Sequence, residues 1–336
     1  MDQADVYIDC LIREMEERKG EYGRLPLDTV FFGGGTPSLL TPAQTGRIVD
    51  AIKKNCELLP NCEMTTEANP GTVDRAKLTE YRSMGFNRIS LGVQSFDDGL
   101  LKSLGRIHTS EEAVAAVESA RQAGFDNINI DLMYALPHQT RKQLDNTLER
   151  AVRLSVPHVS CYSLIVEDGT PMKSYAEAHP EVFPDEDECI AMQRDITGLL
   201  HESGIERYEI SNYARPGFEC RHNIVYWERG DYLGLGCAAH SMMHGERFSN
   251  TCELKKYLSG NREEERSTLT ETDVYEETVL LGLRMCRGID ENVIKGRNTK
   301  RLEDGGFARR SGGRFMLTEK GMEVMDAVVL ELTDGV

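Results

Sequence analysis

No stretch of about eighteen apolar residues occurs in this 336-residue chain, which excludes a helix that spans a membrane. The first twenty residues are charged, and no secretory signal can be read in them. Nine cysteines are present, an odd number, and no two of them form a C-x-x-C pair. A disulfide framework and a zinc ribbon are therefore set aside, and reduced thiols in the cytoplasm are expected. Positive charge is the scarcer sign: 39 Lys and Arg against 56 Asp and Glu leave a net charge of −17, which argues against nucleic acid as a partner. What remains, 40% hydrophobic and 28% charged side chains on a chain long enough to bury a full core, is an ordinary globular composition.

An amphipathic helix is predicted over residues 2–19, where Tyr7, Ile8, Leu11, Ile12 and Met15 share one stripe. Strands are predicted at 28–32, 63–68, 88–94, 127–136 and 158–166. Helices at 74–84, from Ser110 as a cap, and over about 140–154 separate them. One punctuation mark recurs: Met84-Gly85-Phe86, Ala123-Gly124-Phe125 and Ser203-Gly204-Ile205 each close a helix and lead into a strand. Glycine accepts the left-handed turn there, and the apolar residue after it packs back on the last turn. Gly85 and Gly124 lie 39 residues apart, and Gly204 follows 80 residues later, about two more units. A repeat near forty residues implies parallel β/α units, because parallel strands need crossover helices.

The predicted fold class is therefore α/β. A partial (β/α) barrel is expected over residues 1–262, followed over 263–336 by a helical, winged-helix-like region. In that region EEERSTLTETD (263–273) reads as a polar connector, 272–286 and 318–332 as helices, and Ser311-Gly312-Gly313 as the tip of a hairpin. A wing carrying Arg309, Arg310 and Arg314 suggests DNA binding; a helical lid is the alternative, and the acidic chain favours it.

Carboxylates and amides close the predicted strands: Glu67, Gln94, Asp131, and Glu209 within YEISNY. In a barrel such ends converge on one face, where sites are built. A buried carboxylate needs a ligand or a basic neighbour. Arg88 and Arg106 are the cations that could pair locally instead, but several such residues in register favour a site. Gly33-Gly34-Gly35-Thr36-Pro37 follows a strand and leads to a helix opened by Thr41-Pro42. It has neither the Gly-Lys-Ser/Thr of a phosphate loop nor G-x-G-x-x-G spacing, so a backbone cradle for a small polar ligand remains.

FFGGGTPSLL (31–40), TTEANPGT (65–72), NRISLGVQSF (87–96), LGRIH (104–108), NINIDLMYALP (127–137), SCYSLIVEDGT (160–170) and YEISNYA (208–214) together resemble the radical S-adenosylmethionine family of oxygen-independent coproporphyrinogen III oxidases. CRHNIVYW (220–227) and YLGLGCAAHS (232–241) are similar to the HemW-type haem chaperones within it. The resemblance implies that Gly34, Gly35 and Thr36 hold the amino group of S-adenosylmethionine, and that Glu67, Gln94, Arg106 and Asp131 line the rest of its site. The chemistry agrees: an ammonium wants carboxylate and carbonyl acceptors, a carboxylate wants Arg106, and ribose hydroxyls want Glu67 or Asp131.

The family's radical chemistry uses a [4Fe–4S] cluster on a C-x-x-x-C-x-x-C set, and no such set occurs here. The helix at 2–19 matches the family's helix after the cluster loop. The first strand, the loop and a ligand-touching aromatic are therefore expected to be missing. Because Glu67, Gln94, Arg106 and Asp131 are kept, an incomplete copy of a longer protein is favoured over a variant that has lost the cluster. In neither case is radical catalysis expected of the chain as it stands.

His222 could offer haem an axial imidazole, with Tyr226 or Trp227 against the porphyrin. A hydrogen-bonded structural histidine is the plainer alternative. His240 and His244, then Cys220 and Cys237, are weaker ligands. His138 stands in LPHQT where the family suggests glycine, and the sequence offers no reason for it. The leading expectation is a haem-binding chaperone that holds S-adenosylmethionine in the barrel and passes haem to an acceptor protein. Its rivals are a coproporphyrinogen III oxidase, and an unrelated barrel enzyme using Glu67 and Asp131 as acid and base.

Overall fold

The alternation of strand and helix in the sequence builds a seven-stranded sheet. In the computed structural model, which describes residues 3–334 (side chains of 263 and 264 excepted), its strands are β1 (Pro26–Phe32), β2 (Glu57–Ala68), β3 (Arg88–Gln94), β4 (Asn127–Tyr134), β5 (His158–Ser163), β6 (Glu206–Glu209) and β7 (Asn212–Ala214). They are ordered β1-β2-β3-β4-β5-β7-β6 and curl into the partial barrel of an α/β fold, as the repeat predicted. Strands β2 to β5 pair in parallel, each joined to the next through helices such as Arg75–Met84, Ser110–Gln122 and Arg141–Arg153.

The recurring glycines do what their spacing implied. Gly85, Gly124 and Gly204 have φ of +116°, +89° and +73°. The following Phe86, Phe125 and Ile205 send their N–H groups back to Tyr81, Ala120 and Leu200 carbonyls at 3.2, 3.0 and 3.0 Å. Each of those three apolar side chains is buried, so each of these three helices ends in a closed cap on which the next residue packs back.

Strand parity then decides what the sheet can hold. Ile89, Leu91 and Val93, with Ile128, Ile130 and Leu132, are buried and apolar. The alternate residues are Arg88, Ser90, Gly92 and Gln94 on β3, and Asn127, Asn129, Asp131 and Met133 on β4. Successive side chains point to opposite faces. One face therefore packs apolar, and the inner face of the curl is polar.

Several expectations need correction. The helix predicted from 2 runs Gln3–Tyr22, and residue 2 lies outside the described residues. Thr109, not Ser110, caps its helix, because the Glu112 side chain reaches back to complete a capping box. YEISNY is not one strand: β6 and β7 form an antiparallel hairpin, and Glu209 is buried at its turn, accepting from Ser211 N and the Asn212 amide. The supposed connector is a strand, and a wholly polar segment suits the edge position it takes. It is β10 (Glu263–Thr268), which pairs with β9 (Glu246–Asn250), itself beside β8 (His240–Met243). The last predicted helix is broken into Glu319–Met322 and Met325–Thr333.

The chain forms two compact units that do not follow its linear order. One comprises residues 31–39 and 64–219 and contains β3 to β7 with the carboxyl ends of β1 and β2. The other comprises residues up to 30, 40–63 and from 220 onward. In the second, the Gln3–Tyr22 helix packs on Pro42–Asn55 and buries Ile8, Leu11 and Met15. It also buries Glu14, whose carboxylate accepts from Gly236 N (3.0 Å), Asn250 Nδ2 (2.6 Å) and Tyr257 OH (2.7 Å). The YLGLGCAAHS stretch thus has a packing role. The C-terminal residues add a three-stranded antiparallel sheet in the order β11 (Ile289–Asp290), β13 (Arg314–Leu317), β12 (Ala308–Ser311), with the hairpin tip at Gly312-Gly313. Among the described residues no helix is long and apolar enough to cross a membrane.

Candidate functional site

In the unit of residues 31–39 and 64–219, the carboxyl ends of β2 to β5 open into a cavity of about 440 Å³. Of the residues expected from the sequence, Gly35, Thr36, Glu67, Gln94, Arg106 and Asp131 line it. Gly34 does not, but its N–H donates to Glu67 Oε2 at 3.2 Å. At Gly34 and Gly35 nothing lies within 4 Å of where a Cβ would stand, so the loop's face is open. The loop itself is tied down: Asn69 Nδ2 donates to Thr36 Oγ1 at 3.3 Å, and Lys77 donates to the Ser38 carbonyl.

The local-pairing alternative does not hold. Among the described residues neither Glu67 nor Asp131 forms an ion pair, and the Arg106 guanidinium has no carboxylate partner. Burial first, and the Asp131 charge second, push the Glu67 carboxyl above its usual range, against the Gly34 N–H and the Arg88 charge. Burial likewise raises Asp131, against donation from Ser90, Ser160 and Asn129 and the charge of Arg88. Two desolvated acceptors and one unpaired cation thus share a wall. Such a set suits a ligand carrying hydroxyls or an ammonium together with a carboxylate.

Gln94 lies at a register shift between Leu91 and Gln94, and it sits at φ +67°. A bulge of this kind re-aims a side chain at a strand's end. The sequence reading missed Ser90, Gly92, Met133 and Tyr162 as lining residues. For three of them the signal was present: Gly92 and Met133 lie two residues from Gln94 and Asp131, and Ser90 pairs across from Glu67; Tyr162 is reached only through its pairing with Met133. His138 now has a physical account: its φ is +60°, a conformation natural to glycine that histidine tolerates better than bulkier residues.

His222 belongs to the other unit, at the start of the Arg221–Trp227 helix. Both ring nitrogens are engaged, Nδ1 with Thr29 Oγ1 and Nε2 with Tyr226 OH, each at 2.8 Å. Burial, then the neighbouring Tyr232 and Cys220, push the Tyr226 phenol up to about 12. The Arg284 guanidinium lies 4.4 Å from the Trp227 ring centre. His244 faces Asp231, and Cys237 Sγ meets the Thr251 carbonyl. Among the described residues no three histidine, cysteine or carboxylate side chains gather as ligands for a metal ion.

Residues 10–151 match the radical SAM superfamily. The heme chaperone HemW of Lactococcus lactis is 36% identical over 334 residues, 95% of this chain and 87% of that protein. HemW of Escherichia coli is 32% identical over 341 residues, 97% of this chain and 89% of that protein. The chain belongs to the HemW family. The fold agrees with that membership. Coproporphyrinogen III oxidase of E. coli, a radical SAM enzyme, superposes with a TM-score of 0.85 over 100% of this chain and 85% of that one, at 24% identity. At that identity the likeness speaks for the fold, whereas the HemW relatives match in sequence over nearly the whole chain.

Proposed function

We propose that this HemW-family chain is a haem-binding chaperone whose barrel cavity binds S-adenosylmethionine. The observation that carries the nucleoside part is the meeting of Glu67, Gln94, Arg106 and Asp131 with Gly35 and Thr36 on one cavity. The unpaired Arg106 suits the ligand's carboxylate, and Glu67 and Asp131 suit its ammonium and ribose hydroxyls. When bound, S-adenosylmethionine would supply a sulfonium centre; the residues here bind and orient it.

Haem is the cargo. His222 Nε2 is the nitrogen we assign to its iron, with Nδ1–H donating to Thr29, because a ligating imidazole needs its other nitrogen held. For that, the Tyr226 hydroxyl must leave Nε2. Passage of haem to an acceptor protein belongs to the same proposal and is supported by the name of the relatives. The oxidase alternative is supported by fold likeness alone.

Calorimetry with S-adenosylhomocysteine, and haemin titration followed at the Soret band, test the two halves separately. Glu67→Ala or Asp131→Ala should weaken the first at least tenfold, and His222→Ala the second. Binding that neither cavity variant alters removes the nucleoside reading. A Soret shift unchanged in His222→Ala removes His222 as the ligand.

A further inference from the structure

Beneath the cavity runs a chain of hydrogen bonds between cross-strand neighbours of β3, β4 and β5. Ser90, Asn129 and His158 lie in one register row, and Asp131 and Ser160 in the next. Asn129 Nδ2 donates to Asp131 Oδ1 at 2.8 Å and to Ser90 Oγ at 2.7 Å, while Ser90 Oγ donates to Asp131 Oδ2 at 2.9 Å. Asn129 Oδ1 meets His158 Nδ1 at 2.6 Å and lies 3.2 Å from Ser160 Oγ, whose one proton it shares with Asp131. His158 Nε2 lies 2.9 Å from Tyr208 OH.

The carboxylate fixes every direction in this chain. An ionised Asp131 only accepts, so the Asn129 amide must turn Nδ2 toward it and Oδ1 toward His158. Oδ1 only accepts, so His158 must carry its proton on Nδ1. The bare Nε2 then accepts from Tyr208. Ser90, Asn129, His158 and Ser160 are each at most 5% exposed, so water cannot replace a lost donor cheaply.

We infer that His158, held by Tyr208, is a positioning residue for the nucleoside site, acting through Asn129 to hold the Asp131 carboxylate as an oriented acceptor. The inference rests on the proposed reading of the cavity. Burial, and then the Arg88 charge, hold the imidazole well below its usual range, in keeping with a neutral donor. Glu67 on β2, Arg88 on β3, Cys161 and Tyr162 on β5 and Tyr208 on β6 are the other ionisable groups facing the pair. Without the His158 donor the Asn129 amide is free to turn its oxygen to Asp131. The carboxyl then takes up a proton, which it donates to the turned Asn129 oxygen, and it meets the ligand as an uncharged, weaker acceptor.

The test uses the full chain with ¹⁵N-labelled histidine, the His158 signals assigned by their loss in His158→Gln. They should show the neutral Nδ1–H tautomer and no titration between about pH 5.5 and 8.5. An Nε2–H tautomer, or a midpoint in that range, overturns the proposal. Calorimetry with S-adenosylhomocysteine at pH 6 and 8 is the second arm. His158→Phe should weaken binding at least tenfold, and more at pH 6, while His158→Gln, which can still donate, stays within about threefold of the parent. Should His158→Phe not fold, Tyr208→Phe replaces it, with a mixed tautomer and weaker binding expected. Parent-like binding at both pH values in a folded His158→Phe or Tyr208→Phe overturns the positioning role. A parent chain that does not bind at all withdraws the nucleoside reading and this inference with it.

Discussion

Gly34 and Glu67 are bonded to each other, the glycine N–H donating to the carboxylate at 3.2 Å. The loop amide and the strand-end acceptor, both expected to face a ligand, thus partly satisfy one another. The satisfaction is incomplete, because burial and the nearby Asp131 still raise the Glu67 carboxyl. A carboxyl raised in the folded state binds more protons there than in the unfolded chain, so its contribution to stability falls as pH rises from its unfolded value through its folded one. Glu67→Gln should therefore stabilise the chain at pH 7, on the order of 1 kcal/mol. It should also flatten the loss of stability on going from pH 4.5 upward, while weakening nucleoside binding. Urea unfolding at several pH values measures this; an unchanged slope would show that Glu67 is not the group responsible.

Gly236 carries a different load. Its φ is +107°, and a Cβ there would stand 2.5 Å from Tyr7 OH, which accepts from Cys237 N at 3.1 Å. Gly236→Ala should cost about 2–4 kcal/mol, from backbone strain plus the clash. With Tyr7→Phe the nearest ring atom is at 3.7 Å, an ordinary contact. The double variant should then be at least about 1 kcal/mol more stable than the sum of the singles, read from thermal or urea unfolding. Strict additivity would place the whole cost in the backbone.

The repeat of capped helices and strand-end acceptors was legible because both follow from short-range rules, a glycine at a helix end and a polar residue at a strand end. Glu14, by contrast, lies beside Arg13, Glu17 and Arg18 off the apolar stripe of its helix, and nothing local marks it as buried. Its three donors lie 222 to 243 residues away, beyond any local pattern. His158 escaped notice for a related reason: inside HVSCYS it breaks no alternation, and its importance comes from Asn129 and Tyr208 on other strands. The exposed edge strand β10 was read as a connector because its acidic, polar residues carry no apolar face.

His138 offers a direct test of backbone strain. Its φ of +60° penalises any residue with a Cβ, and its ring is exposed, with one long contact at 3.3 Å to Tyr175 OH. His138→Gly should raise stability by about 0.5–1 kcal/mol despite the extra freedom of the unfolded chain. His138→Val should lower it by at least as much, since a β-branched residue tolerates this region worst. Paired melting curves decide the matter, and equal midpoints would mean that the loop relaxes.

Thr29 and His222 provide the sharpest probe of the haem half. If iron takes Nε2, the Nδ1–H needs the Thr29 hydroxyl at 2.8 Å as its acceptor. Thr29→Val keeps the shape and removes the acceptor, so haemin affinity should fall about five- to tenfold. Thr29→Ser should restore it. Soret titrations of the three chains measure the effect, and equal affinities would put iron on Nδ1 or elsewhere.

Glu63 reaches the same helix from β2. Cys220, at the N-cap of the Arg221–Trp227 helix, makes no side-chain capping bond. The Glu63 carboxylate supplies it instead, accepting from Arg221 N at 3.2 Å and His222 N at 3.0 Å while nearly buried. A carboxylate here satisfies two orphan N–H groups and faces the positive end of the helix. Glu63→Ala should cost about 1–2 kcal/mol, because two part-buried donors lose their acceptor at once. Glu63→Gln keeps one acceptor and should cost about half as much. The readout that separates capping from general destabilisation is hydrogen exchange: protection over residues 221–227 should drop in Glu63→Ala more than in the Arg141–Arg153 helix, which lies in the other unit. Uniform loss across both helices would mean that Glu63 supports the whole fold and has no particular hold on the helix that presents His222.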